Sequence, residues 1–330
     1  MFALCFMNIG NTIFKRGTEM QIDLNHAIDL VDRFETLLET KGISIGTHPS
    51  TGADMLSIWR ILERNRKGFI ETPDDHCAEY TAGIAIHDLA AKILAVEQHS
   101  EFDMLVPHLE MLAVGAVHLT DEPPADADVY NKLIEIYWAC LLMANGVKVA
   151  LDHPKHSKGD NPDVIAFENG DPARAYAFKT VRSEHTHNLH DHLIKGIDQI
   201  ERSEAKEGIV CFHLTPRILK AGLWPKGGYY SDWKLPACKA VVDLNQMVSQ
   251  VVIDNGQAAI EDAFAGKKAV GSVLCLALFP TVATNPVTGN AVVMPIKVAT
   301  LVNMVPSQPL SRKLHCEIEV ANHRMQTQLT

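Results

Sequence analysis

Apolar residues in the first third of the chain recur at helical spacing. Ile22, Leu24, Ile28, Val31, Phe34, Leu37 and Leu38 mark one face of a helix that Gly42 stops. Further helices are predicted over residues 53–66, 73–96 and 103–117, the first turning Leu56, Trp59 and Leu62 inward. At Asp121-Glu122-Pro123-Pro124 two prolines break the pattern, because proline lacks an amide donor and restrains its predecessor. A boundary there separates a mostly helical N-terminal domain, residues 1–120, from a second domain, residues 121–330.

The second part changes texture. Asp126 or Asp128 can cap a helix over residues 129–145, with Gly146 as its stop. Strands are predicted over residues 147–152, 163–168 and 174–181. Asn169-Gly170 lies between the last two and predicts a hairpin, since both residues tolerate the positive φ of a tight turn. Leu189, Leu193, Ile197 and Ile200 lie on one face of an amphipathic helix over residues 188–204. Residues 209–214 are continuously apolar, as an interior strand requires. A helix over residues 244–264 and a long hairpin, residues 273–284 with 292–305, complete the chain.

Composition narrows the classes. Of 330 residues 47% are apolar and 21% charged, which suits an ordinary globular protein. No stretch approaches the roughly 20 apolar residues of a membrane span, and the basic residues Lys15 and Arg16 follow the apolar N-terminus instead of preceding it as in an export signal. The expected location is the cytoplasm, with no membrane partner. The seven cysteines are scattered and unpaired in pattern, which argues against a disulfide framework or a structural zinc site. A net charge of −10 argues against a protein that coats nucleic acid, while leaving room for a local basic groove.

The chemistry-bearing positions are Glu135 in the helix over 129–145, Pro162-Asp163 at the head of the second strand, Ala177-Phe178-Lys179 in the third, and Gln199 in the following helix. In that order on those elements, residues 128–214 resemble the PD-(D/E)XK nuclease superfamily. The resemblance implies an α/β fold with a mixed sheet: a restriction-endonuclease-like αβββαβ core, extended by a C-terminal helix and hairpin. It implies Mg²⁺ or Mn²⁺ as cofactor, Asp163 and Glu135 as metal ligands, and Lys179, Glu135 and Gln199 as catalytic or supporting groups. The expected activity is phosphodiester hydrolysis of nucleic acid, most naturally DNA. The alternative is an inactive member of the fold that binds nucleic acid or protein. The family motif places an acid where Ala177 stands. Strand geometry puts Ala177 and Lys179 on one face, and Asp152, Glu201 and Asp191 are the acids that could substitute, Asp191 being the worst placed.

Other features add candidate contacts. Lys155 and Lys158 lie in a basic loop before Asp163, where they would meet a phosphate backbone. Trp224 and Lys226 open a segment that interleaves aromatics with lysines, suited to stacking on bases. Both segments can also be read as solvated or core-packing loops. His185, His187, His190 and His192 could bind a transition metal or simply form a polar helix start. A homo-oligomer or a protein partner through the helical domain completes the expected partners.

Overall fold

The computed structural model describes residues 24–43, 55, 57–61, 77–112, 128–154, 161–220, 222–225, 228–285, 289 and 291–327. Among them, six strands pair in chain order into one mixed sheet: β1 (Val149–Leu151), β2 (Val164–Glu168), β3 (Asp171–Thr180), β4 (Glu207–His213), β5 (Ala269–Thr284) and β6 (Ala291–Asn303). The first three form an antiparallel meander, β3 to β4 and β4 to β5 are parallel, and β6 returns antiparallel to β5. The hairpin between β2 and β3 turns at Asn169 (φ 53°) and Gly170 (φ 89°), as the Asn-Gly pair predicts.

Helices cover both faces. In chain order they are α1 (Leu24–Thr40), α2 (Cys77–Leu94), α3 (Val106–Leu112), α4 (Asp128–Met143), α5 (Thr186–Arg202), α6 (Thr215–Lys220), α7 (Lys234–Asn255), α8 (Gln257–Phe264) and α9 (Arg312–Gln326). Tyr176 and Phe178 of β3 belong to an apolar cluster with residues of α1, α2, α4 and α9. Ala175 and Ala177 belong to a second cluster with α5, α7 and α8. This alternation is the period of two that a strand buried on both faces must have. Gly196 of α5 faces Val210 of β4 so closely that a Cβ there would lie 2.8 Å from Cγ1 of Val210. The absence of a side chain therefore sets how near α5 approaches the sheet.

Several expectations shift. Residues 57–61 are helical, but Trp59 is 47% exposed; Met55, Ile58 and Ile61 are the buried residues instead. The helix expected over 103–117 begins as a 3-10 turn, Phe102–Leu105, and continues as α3. The helix expected over 244–264 is two helices. The first starts at Lys234, because Pro236 falls in its first turn where no amide donor is needed, and Gly256 (φ 84°) separates it from the second. Helix α9 was not anticipated, although Leu314, Ile318, Ala321 and Met325 recur at helical spacing and Ser311 caps it, accepting from Leu314 N at 3.1 Å. The boundary proposed at residues 120–121 lies outside the described residues.

Buried polar ties fix α9. Glu317 takes a bidentate pair from Arg174 of β3 at 2.9 and 2.6 Å and a hydrogen bond from Tyr176 Oη. Near its end, the Lys92 ammonium donates to Arg324 O at 2.7 Å and that of Lys297 to Met325 O at 2.9 Å. Asp88 accepts from Lys297 at 2.6 Å and from Tyr137 Oη at 2.8 Å, so α2, α4 and β6 meet at one carboxylate, and Lys297 carries the tie on to α9.

His213 ends β4, fully buried, with its ring stacked on Tyr130 and Nε2 2.8 Å from Thr215 Oγ1. Burial, helped by Arg182, pushes its pKa down to about 3.

Two outcomes follow from these contacts. Glu317→Ala leaves the Arg174 guanidinium with only Glu168, 3.4 Å away. It should cost about 3 kcal/mol in urea unfolding, the low end for a broken buried pair. Below pH ~6.5 the unfolded chain binds a proton at His213 that the folded chain refuses until about pH 3. Stability is therefore full above pH ~6.5 and falls as pH drops, by up to about 1.4 kcal/mol per pH unit from this group. His213→Gln should flatten that slope in denaturation series run from pH 7 to 4.

Candidate functional site

Helix α4 is buried on nearly every side, from Tyr130 to Met143. An ionisable group inside such a helix is costly unless it is paired. Glu135 is 3% exposed, and Lys132, one turn earlier, supplies the pair: its Nζ lies 2.9 Å from Oε1 and 3.0 Å from Oε2. The same ammonium is 3.6 Å from Asp163 Oδ1.

Asp163 sits just before β2, and its backbone continues the ladder on both sides. Its N–H donates to Tyr176 O at 3.1 Å and its carbonyl accepts from Asp152 N at 3.1 Å. Its Oδ2 accepts from the backbone N–H of Phe178 at 2.6 Å. The carboxyl is thus held at a fixed place against β3. Lys179, one residue further along β3, brings Nζ to 3.8 Å from Asp163 Oδ2. That ammonium is oriented by hydrogen bonds to Phe178 O at 2.8 Å and to Gln199 Oε1 on α5.

Glu135, Asp163, Lys179 and Gln199, drawn from three elements and a strand head, therefore meet in one place. The sequence reading overlooked Lys132 and His108. His108, in α3, is 2% exposed and its Nε2 lies 3.6 Å from Glu135 Oε2. Neither ring nitrogen has a hydrogen-bond partner, and burial with the nearby Lys132 charge pushes its pKa down to about 4, so the ring is neutral. The signal for Lys132 was its i, i+3 spacing to Glu135. Nothing local marks His108.

Burial and the neighbouring Glu135 charge push the Asp163 carboxyl up to about 7. Glu135 is also raised by burial, against the pull of Lys132 and a hydrogen bond from Asp163. Such a carboxyl pair shares a proton when no stronger cation separates it.

The substitute acids separate clearly. Ala177 is fully buried among the apolar residues beneath α5. Glu201, two residues beyond Gln199 on α5, accepts from Lys268 N at 3.0 Å, beside the first residues of β4 and β5, and so is committed elsewhere. Asp191 pairs with His187 at 3.4 Å on an exposed helix face. Asp152 alone is near: its Oδ2 is buried with no hydrogen-bond partner, and its charge acts on both Lys132 and His108. Among the described residues no three His, Cys, Asp or Glu side chains converge closely enough to hold a metal ion, the His185–His192 cluster included. Trp224 is half-buried in a segment running beside the distal part of β5, where Tyr230 N donates to Val282 O at 2.9 Å. Lys155, Lys158 and Lys226 lie outside the described residues. No helix among those described is long and apolar enough to cross a membrane.

In Glu135→Gln the charge that raises Asp163 is gone. The Asp163 carboxyl should then titrate below the value of about 7 that it has beside Glu135, read by ¹³C NMR of labelled aspartate. An unchanged or higher value would mean that burial alone sets it.

Comparison with known protein families, with curated proteins and with solved structures finds no match for the chain.

Proposed function

We propose that this protein is a metal-dependent nuclease of the PD-(D/E)XK type that hydrolyses phosphodiester bonds in nucleic acid, DNA being the first substrate to test. The observation that carries the reading is the Lys179 ammonium, held by Gln199 and aimed at the Asp163–Glu135 carboxylate pair. The order α4, β1, β2, β3, α5, β4, with an antiparallel meander followed by a parallel crossover, supports it.

The donor set suits a hard divalent cation. Glu135 and Asp163 offer carboxylate oxygens on rigid elements, and Mg²⁺ commonly takes only one or two carboxylates, water and phosphate filling its shell. Asp152, whose buried Oδ2 has no hydrogen-bond partner, adds its charge to the surroundings of Lys132. Glu135 and Asp163 would hold Mg²⁺ or Mn²⁺ as a pair, with water completing the shell where Ala177 offers no ligand. When bound, the ion would offset charge on the phosphoryl oxygens and lower the pKa of the attacking water.

The protein's own groups do the rest. Lys179 has N–H donors to orient a water or hold a non-bridging phosphate oxygen, while Gln199 and Phe178 O keep its stem from wandering. The Phe178 amide donates to Asp163 Oδ2 and holds that carboxylate against β3. Water attacks phosphorus, the P–O bond to the leaving strand breaks, and that oxygen takes up a proton. Lys155, Lys158, Trp224 and Lys226 are the proposed contacts to the strand outside the reacting phosphate.

A second reading, a binding module that kept the scaffold and lost the chemistry, is favoured by two observations: a methyl group stands at Ala177 and a lysine already neutralises Glu135. Plasmid nicking with Mn²⁺ separates the two. The nuclease reading expects cleavage that Asp163→Ala abolishes and that Lys179→Ala slows by about 10²-fold or more, with Mn²⁺ affinity lost in the first variant and kept in the second. Absence of cleavage on duplex and single-stranded substrates, with oligonucleotide binding retained in EDTA, would establish the binding module instead.

A further inference from the structure

Every ammonium contact described for Lys132 goes to a carboxylate, and the carboxylates are those assigned above to the metal. Its Nζ bridges both oxygens of Glu135, at 2.9 and 3.0 Å, and reaches Asp163 Oδ1 at 3.6 Å. Asp152 adds a third negative charge to its surroundings. A second cation at this end of the sheet, Lys179, behaves differently. Lys179 makes its hydrogen bonds to a carbonyl and an amide oxygen and stands 3.8 Å from Asp163, so it can remain in place when the carboxylates take another partner. His108 is neutral and makes no hydrogen bond.

A divalent cation and an ammonium cannot share this space. Mg²⁺ binds oxygens at about 2.0–2.1 Å, so oxygens that ligate it leave no room for a lysine hydrogen-bonded to the same pair. Like charges so close would also repel strongly in a poorly solvated site. Lys132 has the means to leave. Its side chain is 16% exposed, against 4% for Glu135, and it hangs on a flexible four-carbon stem near the start of α4, whereas Glu135 lies deeper along that helix.

We propose that Lys132 is a built-in counter-ion that occupies the cation position of the carboxylate pair and competes with the divalent ion for it. The inference rests on the metal-binding reading of Glu135 and Asp163. It accounts for how a buried acid pair stays folded without metal. It also makes metal affinity a difference between two ways of neutralising the same charges. Lys132 is therefore a positioning residue that acts through the ligands, not a group that touches substrate.

The test uses the full chain and Mn²⁺ alone. By isothermal titration, Lys132→Met should bind Mn²⁺ about tenfold tighter than the parent or better, the size expected for one charge-assisted hydrogen bond removed from competition. Thermal unfolding supplies a second readout. In EDTA the variant should unfold at lower temperature than the parent, because its carboxylates have lost their counter-ion. Mn²⁺ should restore it, and equal ionic strength of KCl should not. If Lys132→Met is insoluble in EDTA, Lys132→Gln refolded with and without Mn²⁺ gives the same comparison. Lys132→Arg, which keeps the charge, should gain no affinity. Equal or weaker Mn²⁺ binding by Lys132→Met would overturn the proposal, since the lysine would then be helping the ion. A parent that nicks DNA while Lys132→Met binds no tighter defeats this inference alone. Tighter binding with no cleavage by any variant upholds it and defeats the hydrolytic reading.

Discussion

Burial of the central strands on both faces is the constraint on which the rest of this structure depends. Along the middle of β3 and β4 each side chain must pack against one helical layer or the other, so Tyr176 and Phe178 face α4 and α9 while Ala175 and Ala177 face α5. Parallel pairing of β3 with β4 puts the ends of both strands at one edge, Thr180 opposite His213. Polar chemistry is affordable only where the apolar layers run out, and ligands of open α/β sheets collect at such strand ends for the same reason. Lys179 is at that edge, two residues beyond Ala177 on the same face.

Helix α4 converts this geometry into a site. It is buried on nearly every side, so its costliest polar groups have dedicated partners: Glu135 has Lys132, and Tyr137 has Asp88. The second of these ties belongs to the network through which Lys297 and Lys92 anchor the end of α9. The first sits where Asp163 arrives from β2. Structural pairing and candidate chemistry thus use the same rule, that a buried charge persists only beside its opposite. They differ in the partner's freedom: Lys297 is 7% exposed and held by a carbonyl as well, whereas Lys132 is held only by acids. That difference makes one pair a strut and leaves the other freer to exchange its partner.

Much of the candidate site was legible in the chain. Glu135, Asp163, Lys179 and Gln199 could be named because each lies at a definable place on a strongly patterned element, and the Asn169-Gly170 turn fixed the hairpin that aligns Asp163 with β3. The role of Lys132 could have been suspected from its spacing to Glu135. His108 could not: it is 27 positions earlier, on a short helix whose pattern is weak, and only the fold of α3 against α4 brings it to 3.6 Å from the acid. Glu201 shows the reverse error. It borders the apolar face of α5 as expected, but its carboxylate is taken by the Lys268 amide at 3.0 Å instead of joining the acids beside Lys179.

By itself, then, the sequence determined the local elements of the sheet, the tight turn, the amphipathic face of α5 and the residue types available for acid, amide and ammonium chemistry. These depend on periodicity and turn chemistry over a few residues, which short-range sterics and burial enforce. Tertiary structure decided which acids converge, that α9 closes one face through Glu317, and that Trp59 turns outward while Met55, Ile58 and Ile61 turn in. It also decided that Lys132 lies between two carboxylates. Those outcomes depend on contacts between residues far apart in the chain, whose energies exist only once the sheet and its two helical layers have packed.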